Sequence, residues 1–518
     1  MDVLRQLTVV GVVAFIFSSA QYGSTMSQTL HDVNSTAGSA NSRSLTVLTK
    51  DGTLHTISVH SFSDSLILGK GTSEKGGISR EFSGSLRLSD VDYAYAPREW
   101  TSGKVLLTAA GVIAFAGAAA YALSDKDNDL TVEQEISCVG CSSGSGSCPF
   151  VYTYDGDKYL LESETFAGAV FKGAERASYD VLRHLEPVDG KYIMKLSNER
   201  NETQYVNELK LLAVDAPQGL EVIPDRAGGF HTIGAPVPPS RCSELNGDDA
   251  LAAVEKKDGV LWQSDLPSKD LTRDDHLRDG LILEFTKPAG ATAGKLVVNG
   301  VNTSLGEYAF ELLFKLKGEN LARWYQELEN DPNERQKMFE WMGREGMLHV
   351  SVWLDDEWVE QTTLPDVGPQ VAKDQLAVLD LSRSGERIVK IKLQCTVDLW
   401  RIDQVYMDYS PDASTTVEEL TPATAVDDLG HDVSRELRSD DDLYYGNIGG
   451  QFVNLTFDSV PVSGATARTY ILKTKGHYYL WSDFEGEDRE EVLEAVLAQP
   501  LLGAKLSMPL WKQIKPRN

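Results

Sequence analysis

Short runs of alternating apolar and polar residues begin at Leu45 and continue to about residue 98. Alternation with a period of two places one set of side chains on each face of a strand, so the pattern predicts β-strands. The pair Asp51-Gly52 lies between two of these runs and is typical of a two-residue hairpin turn. Residues 45–98 are therefore predicted to form a small β-module.

Strand-like patterns return after residue 149 and dominate the remainder of the chain. One interval, residues 307–345, differs because its apolar residues recur at helical spacing, as at Leu321, Trp324, Tyr325 and Leu328. Strands that do not alternate with helices favour antiparallel sheets. We therefore predict a mainly β, α+β fold, in which residues 150–410 form an antiparallel, jelly-roll-like β-sandwich with a helical insertion.

The C-terminal part of the body has two further predicted regions. Residues 411–442 are rich in Asp and Glu and poor in apolar runs, which is typical of a solvated linker. Alternation then resumes and gives way to a helical pattern near the end of the chain. A last β segment and a helix are predicted over residues 443–518.

The N-terminus has the pattern of an export signal. In residues 1–20, Arg5 precedes an apolar run that ends in small residues suited to cleavage. An uncleaved anchor is the alternative interpretation. Residues 21–44 are rich in Ser, Thr, Asn and Gly and predict a flexible leader.

A second hydrophobic segment, residues 105–123, is long enough to span a bilayer as a helix. It is Ala-rich, and an Ala-rich helix buried against protein is the alternative. Basic residues precede the segment and acidic residues follow it, so the positive-inside tendency places the body outside the cytoplasm. A cleaved signal followed by one spanning helix would place the body inside. We expect an exported, membrane-anchored envelope protein with an extracytoplasmic body.

The charge distribution bears on the class of partner. The formal net charge is −28, and residues 1–104 contain equal numbers of acidic and basic side chains, so the excess of acid lies entirely after them. An acidic body repels phosphate backbones, which argues against binding of nucleic acids. Acidity of this kind is also typical of a secreted protein that is kept soluble.

Three of the five cysteines lie in a Gly- and Ser-rich hinge, residues 124–149. Cys138, Cys141 and Cys148 have no fourth ligand nearby, which disfavours a structural zinc site. In an exported chain the ordinary interpretation is a disulfide within the hinge or one that reaches Cys242 or Cys395.

The hinge also begins with spaced carboxylates. Asp125, Asp127 and Asp129 match the first positions of a calcium loop, but Leu130 and Ile136 replace its turn glycine and its bidentate glutamate. A solvated acidic hinge is therefore the favoured interpretation, with a low-affinity calcium contact as the alternative. No cofactor is otherwise expected.

Four aromatic residues are candidates for stacking on sugar rings, since they lie on predicted sandwich strands: Trp353, Trp358, Trp400 and Tyr406. The alternative is that they are ordinary core residues, because strand aromatics commonly pack inward. Motifs for zinc proteases, phosphate loops and dinucleotide binding are missing from the sequence. The sequence motifs therefore identify no catalytic residues.

Several segments resemble a group of exported or membrane-anchored bacterial proteins, namely SCPFVYTYDGDKYLLESETFAGAV, HLEPVDGKYIMKLSNERNETQYVNELKLLAVD, ARWYQELEN and LWRIDQVYMDYS. The resemblance covers about residues 45–410. It implies export and a β-rich architecture, and it carries no activity, cofactor or site residue. The lipid-attachment cysteine that many such proteins carry is missing here, which argues against a lipid anchor.

These observations together predict a binding or scaffolding protein of the cell envelope, with a glycan or a protein as its partner. The alternative is an envelope hydrolase that acts on glycans, because a glycosidase needs only two carboxylates at the right separation. Sequence cannot choose such a pair among so many acidic residues.

Overall fold

The computed structural model describes residues 43–49, 53–63, 66–75, 78–87, 90–96, 105–108, 148–200, 202–385, 387–462, 464, 466–480 and 488–514. Strands dominate these ranges and helices are few. The predicted mainly β, α+β class is therefore confirmed.

A six-stranded antiparallel sheet is formed by β1 (Arg43–Thr49), β2 (Leu54–Ser63), β3 (Leu66–Lys75), β4 (Ile78–Arg87), β5 (Val91–Ala96) and β6 (Val105–Thr108). The spatial order is β4-β3-β2-β1-β5-β6. Leu48 of β1 pairs with Leu54 of β2, so the two strands form the hairpin that the Asp51-Gly52 pair predicts. The sheet is the structural counterpart of the predicted β-module.

The prediction of a membrane-spanning helix over residues 105–123 is wrong. Val105–Thr108 is strand β6, whose backbone pairs with β5. Residues 109–123 lie outside the described ranges, as do the predicted signal peptide, residues 1–20, and most of the leader. Of the helices in the described part of the chain, none combines the length and apolar character needed to cross a membrane.

The body contains strands β7 to β28. The first of them are β7 (Phe150–Tyr154), β8 (Tyr159–Glu164), β9 (Arg176–Leu182), β10 (Lys191–Ser197), β11 (Glu202–Pro217), β12 (Glu221–Pro224), β13 (Phe230–Ile233), β14 (Pro236–Val237), β15 (Arg241–Glu244), β16 (Trp262–Gln263), β17 (Arg278–Thr286) and β18 (Ala293–Asn302). They are followed by β19 (Leu348–Leu354), β20 (Glu357–Leu364), β21 (Lys373–Asp380), β22 (Ile388–Thr396), β23 (Trp400–Asp408), β24 (Thr416–Leu420), β25 (Thr424–Asp427), β26 (Tyr445–Ile448), β27 (Phe452–Asp458) and β28 (Thr466–Leu480).

These strands form two sandwiches rather than one. In the first sandwich, a sheet of order β25-β27-β10-β7-β8 faces a sheet of order β24-β11-β28-β9, with β26 also paired to β11. In the second, a sheet of order β14-β23-β18-β21, with β16 paired to β23, faces a sheet of order β15-β17-β22-β19-β20. The second sandwich is inserted between β11 and β24 of the first. Each pair of sheets buries its own apolar core.

The hairpin of β12 and β13 connects the outer faces of the two sandwiches. Val222 packs with Leu212 and Val214 of the first sandwich. The next residue, Ile223, packs with Val297 and Leu376 of the second. Successive strand residues point to opposite faces, so one short strand contacts both sandwiches at once.

A helical layer completes the body. Helices α1 (Leu305–Lys317), α2 (Leu321–Asn330) and α3 (Pro332–Gly346) lie between β18 and β19, and α4 (Glu490–Ala498) and α5 (Leu502–Ile514) follow β28. Trp324 of α2 is buried in the core of the first sandwich, whereas Trp511 of α5 is buried in that of the second. The predicted helical insertion is confirmed, and its helices connect the two cores.

The acidic region predicted as a linker, residues 411–442, contains two strands. β24 and β25 are edge strands of the two sheets of the first sandwich. An edge strand can be held by backbone hydrogen bonds while its side chains remain in water, and most residues of β24 are exposed. Because β24 is polar, the hydrophobic pattern of the sequence did not identify it as a strand.

The sandwiches are also joined through a loop, residues 365–372, which we call the junction loop. Glu164, the last residue of β8, accepts hydrogen bonds at Oε2 from the backbone amides of Gln370 (2.6 Å) and Val371 (3.0 Å). Gly368 of this loop has a φ of +85°, and a Cβ there would lie 2.6 Å from Glu164 Oε2. Only glycine allows the loop to approach the carboxylate this closely.

We expect Gly368→Ala to destabilise the protein by about 2 kcal/mol more than Gly450→Ala. Gly450 has a similar φ of +91° and no atom near its missing Cβ, so it reproduces the backbone strain without the steric clash. Urea denaturation of the two variants measures the difference in the free energy of unfolding. If both variants lost the same free energy of unfolding, the close approach of Gly368 to Glu164 would contribute nothing to stability.

Candidate functional site

A cleft of about 490 Å³ lies between the two sandwiches. Its walls come from the edge strands β8 and β9 of the first sandwich and the edge strand β21 of the second, together with the turn between β12 and β13. Concave sites of this size, often found at domain boundaries, are the usual places for small ligands.

A cluster of charged side chains surrounds Asp374, near the start of β21. Arg183 donates to Asp374 and, at 2.9 Å, to Glu221. Asn299 donates to Asp374 Oδ1 at 2.7 Å, and Lys257 Nζ lies 3.4 Å from Asp374 Oδ2. Asp374 is largely buried, whereas Arg183 and Lys257 keep about two fifths of their side chains exposed. The cationic groups therefore face the solvent, with the buried Asp374 behind them and the exposed Glu221 beside Arg183.

A pair formed by Glu162 and His184 also lines the cleft. Glu162 Oε1 accepts from the His184 amide at 2.7 Å and lies 2.7 Å from His184 Nδ1. Glu162 Oε2 accepts from the Arg183 amide at 2.9 Å. The carboxylate is buried and is held by two backbone amides, the His184 ring and the Thr153 hydroxyl, while 64% of the imidazole is exposed. His184 is thus an oriented, accessible polar ring.

An aromatic ring lines the cleft beside these charges. Tyr179 of β9 packs over Gly228 in the turn between β12 and β13, where a Cβ would lie 2.5 Å from the ring carbon Cζ. Asp225 holds the turn in place because its Oδ1 accepts from the amides of Ala227 and Gly229, both at 2.8 Å. Arg226, at the tip of the turn, is exposed. The cleft therefore combines a ring face with cationic groups at its rim.

The base of the cleft is anchored by buried carboxyl groups. Lys373 donates to the carbonyl oxygen of Glu164 and, at 2.6 Å, to Asp180 Oδ1. Burial raises the pKa of Glu164 to about 8, although its amide partners and Lys373 act in the opposite direction. Behind it, burial raises the pKa of Glu202 to about 7, and Glu202 Oε1 accepts from the Cys148 amide at 3.2 Å.

The charged groups of the cleft are suited to binding. The carboxylates of Glu162, Asp180 and Asp374 are each engaged by cations or backbone amides. Within the described ranges, three or more His, Cys, Asp or Glu side chains are nowhere arranged to hold a metal ion. The exposed donors are Arg183, Arg226, Lys257 and His184, which can contact anionic or hydroxyl-bearing ligands.

The four aromatic residues predicted to stack on glycans do not form one strip. Trp400 is 1% exposed in the core of the second sandwich. Trp353 and Trp358 pair across β19 and β20 on the outer face of one sheet, with ring centroids 5.1 Å apart. Tyr406 packs on the outer face of the other sheet, against the cluster that contains Ile223. Trp400 is thus excluded as a surface residue, and the other three lie on two opposite faces.

The prediction of a disulfide is wrong for the described cysteines. Cys148, Cys242 and Cys395 are all free and buried. Cys242 in β15 and Cys395 in β22 lie on either side of β17, and strands two apart are too distant for a disulfide. Cys138 and Cys141 lie outside the described residues, as do the calcium candidates Asp125, Asp127 and Asp129.

Sequence reasoning missed the residues that line the cleft. Tyr179, Arg183, Lys257 and Asp374 are ordinary polar residues on separate strands and loops, and no motif links them. Glu162 and Glu164 do lie in a segment that carries the resemblance described above, ESETFAGAV. This segment was the sole sequence feature near the cleft that had been singled out, and the resemblance it carries implies no chemical activity.

Comparison with known proteins does not assign a family. No family model and no curated protein match the chain. Among solved structures, the crystal structure of the GH31 alpha-xylosidase from Xanthomonas citri matches at 11% identity with a TM-score of 0.16. The match covers 86% of this chain and 38% of the xylosidase chain, so this chain spans well under half of that protein. A TM-score this low carries no argument about fold or function.

We expect Glu164→Gln to flatten the dependence of stability on pH. The pKa of Glu164 is about 8 in the folded protein and near 4.5 when unfolded, so its contribution is complete below pH 4.5 and is lost as the pH rises through 8. Each pKa unit corresponds to about 1.4 kcal/mol. The free energy of unfolding of the variant should therefore fall by a few kcal/mol less than that of wild type between pH 5 and pH 8.5. Chemical denaturation at the two pH values measures this, with the exposed Glu357→Gln as the control. Parallel profiles for wild type and Glu164→Gln would contradict the assignment.

The buried thiols should be alkylated only in the unfolded protein. Burial raises the pKa of Cys148 and Cys395, and that of Cys242 to about 12, so each thiolate is scarce as well as inaccessible. Iodoacetamide in denaturant without a reductant should label all three cysteines, as read by peptide mass spectrometry. Labelling that requires prior reduction would reveal a disulfide and contradict the structure.

Proposed function

We propose that this chain is an exported binding protein that takes an acidic glycan segment in the cleft between its sandwiches. The observation that supports this most directly is the rim of exposed cationic groups, Arg183, Arg226 and Lys257, in a chain whose net charge is −28. The exposed guanidinium and ammonium groups at this rim can donate charge-assisted hydrogen bonds to the carboxylates of an anionic ligand.

The shape of the cleft favours a glycan over a folded protein partner. Protein interfaces are broad, whereas this site is a concavity of about 490 Å³ that suits two or three sugar rings. The face of Tyr179 can pack against the C–H face of a sugar, and Arg183 and His184 can donate to its carboxylate and hydroxyl oxygens. The export signal predicted in residues 1–20 supports a location where such glycans occur.

Binding is favoured over hydrolysis by the state of the carboxylates. A glycosidase needs one carboxylic acid and one carboxylate that both reach the substrate. In the cleft, Asp180 and Asp374 are ion-paired and Glu162 is fixed by amides and His184. Hydrolysis of the bound glycan remains the alternative that the experiment below detects.

Isothermal titration calorimetry with trigalacturonate tests the proposal, with maltotriose as a neutral trisaccharide of similar size. We expect micromolar binding of trigalacturonate, binding of maltotriose at least tenfold weaker, and a loss of affinity with added salt. Lys257→Ala and Tyr179→Ala should each weaken binding about fivefold to tenfold. Lys158→Ala, in an exposed hairpin turn away from the cleft, is the matched control.

Three results would overturn the proposal. Equal affinity for the two trisaccharides would remove the role of the cationic rim, and equal affinity of the Lys257→Ala and Lys158→Ala variants would place the ligand elsewhere. New reducing ends after prolonged incubation with the acidic glycan would replace binding with the hydrolase alternative.

A further inference from the structure

A second cavity, which we call the helical-layer cavity, lies among α1, α3, α4 and α5 and is separate in character from the polar cleft. Its volume is about 180 Å³, and its lining includes Leu305, Ala309, Trp341, Met342, Gly503 and Leu506. Nearly all of these side chains are apolar. An apolar cavity of about 150 Å³ is large enough to bind benzene, so this one is large enough for a single aromatic ring with a small substituent.

One polar group is left unpaired in this apolar lining. Trp341 is 6% exposed, and its Nε1 hydrogen has no acceptor among the described protein groups. Burying such a donor without a partner is unfavourable, and tryptophans are usually placed where the donor is satisfied. A ligand that brings an acceptor to Nε1 would remove this cost.

The space beside this donor is kept open by Gly503. A Cβ at Gly503 would lie 3.4 Å from Trp341 Nε1 and 3.2 Å from Val496 Cγ1, so a side chain there would crowd the indole edge. The neighbouring turn of α5 is weakened by Pro509, which has no amide hydrogen to donate to the preceding turn. Leu506 and Leu510 line the cavity and are about half exposed, so the cavity opens to solvent along α5.

We propose that the helical-layer cavity binds a monocyclic aromatic ligand that carries one hydrogen-bond acceptor, with the acceptor at Trp341 Nε1. The ring occupies the apolar space between α1 and α5, and the carbonyl or ether oxygen of the ligand accepts from the indole. Asp366 lines both this cavity and the polar cleft, but the inference does not depend on the function proposed for the cleft.

Acetophenone and ethylbenzene are the probes, since they are nearly equal in size and only acetophenone carries an acceptor. Calorimetry on the full chain should give a Kd of about 0.1–1 mM for acetophenone, which is typical of ligands with nine heavy atoms. Ethylbenzene should bind roughly threefold to tenfold more weakly, because one hydrogen bond is missing.

Two variants locate the site and test the donor. Trp341→Phe keeps an aromatic ring but removes the donor, so the affinity for acetophenone should fall to that for ethylbenzene, which itself should stay unchanged. Ala309→Leu fills the cavity and should weaken both probes at least tenfold. Trp358→Phe, on the outer face of the second sandwich, is the matched control. Thermal unfolding confirms that each variant is folded.

Three results would overturn the inference. No heat of binding for acetophenone up to 10 mM would show that the cavity takes no such ligand. Unchanged affinity in Ala309→Leu would place the ligand outside the cavity. An unchanged ratio between the two probes in Trp341→Phe would show that the indole does not recognise the acceptor.

Discussion

The buried carboxyl group of Glu164 makes the contact on which the arrangement of the two sandwiches depends. It ends an edge strand of the first sandwich and receives two backbone amides from the junction loop of the second. Gly368 lets that loop approach, and Lys373 adds contacts to the Glu164 carbonyl and to Asp180. Because burial raises the pKa of this carboxyl group to about 8, the contact is sensitive to pH as well as to the shape of the loop.

The insertion of one sandwich into the other explains where both candidate binding sites lie. The chain leaves the first sandwich after β11 and returns at β24, so the two bodies meet along their edges and through the helices. The polar cleft lies between edge strands, where unpaired backbone and charged side chains are common. The helical-layer cavity lies where helices connect two separately packed cores, and imperfect packing is most easily left there.

Periodicity identified the secondary structure well. The alternation after Leu45 and after residue 149 corresponds to real strands, and the helical spacing around Trp324 corresponds to α2. Periodicity failed to identify strands whose pairing does not depend on an alternation of apolar and polar side chains. The edge strand β24 is polar because backbone hydrogen bonds hold it, and Val105–Thr108 is a strand although its apolar run suggested a helix.

The sequence by itself determined the mainly β class, the helical insertion and the acidic charge of the body, because these follow from local propensity and composition. Only the tertiary structure decided that there are two sandwiches, that Trp400 is buried, and that the described cysteines are free. It also brought Arg183 next to Asp374 across nearly two hundred residues of chain. Such pairings depend on which strands become neighbours, and a pattern confined to one strand contains no information about its neighbours.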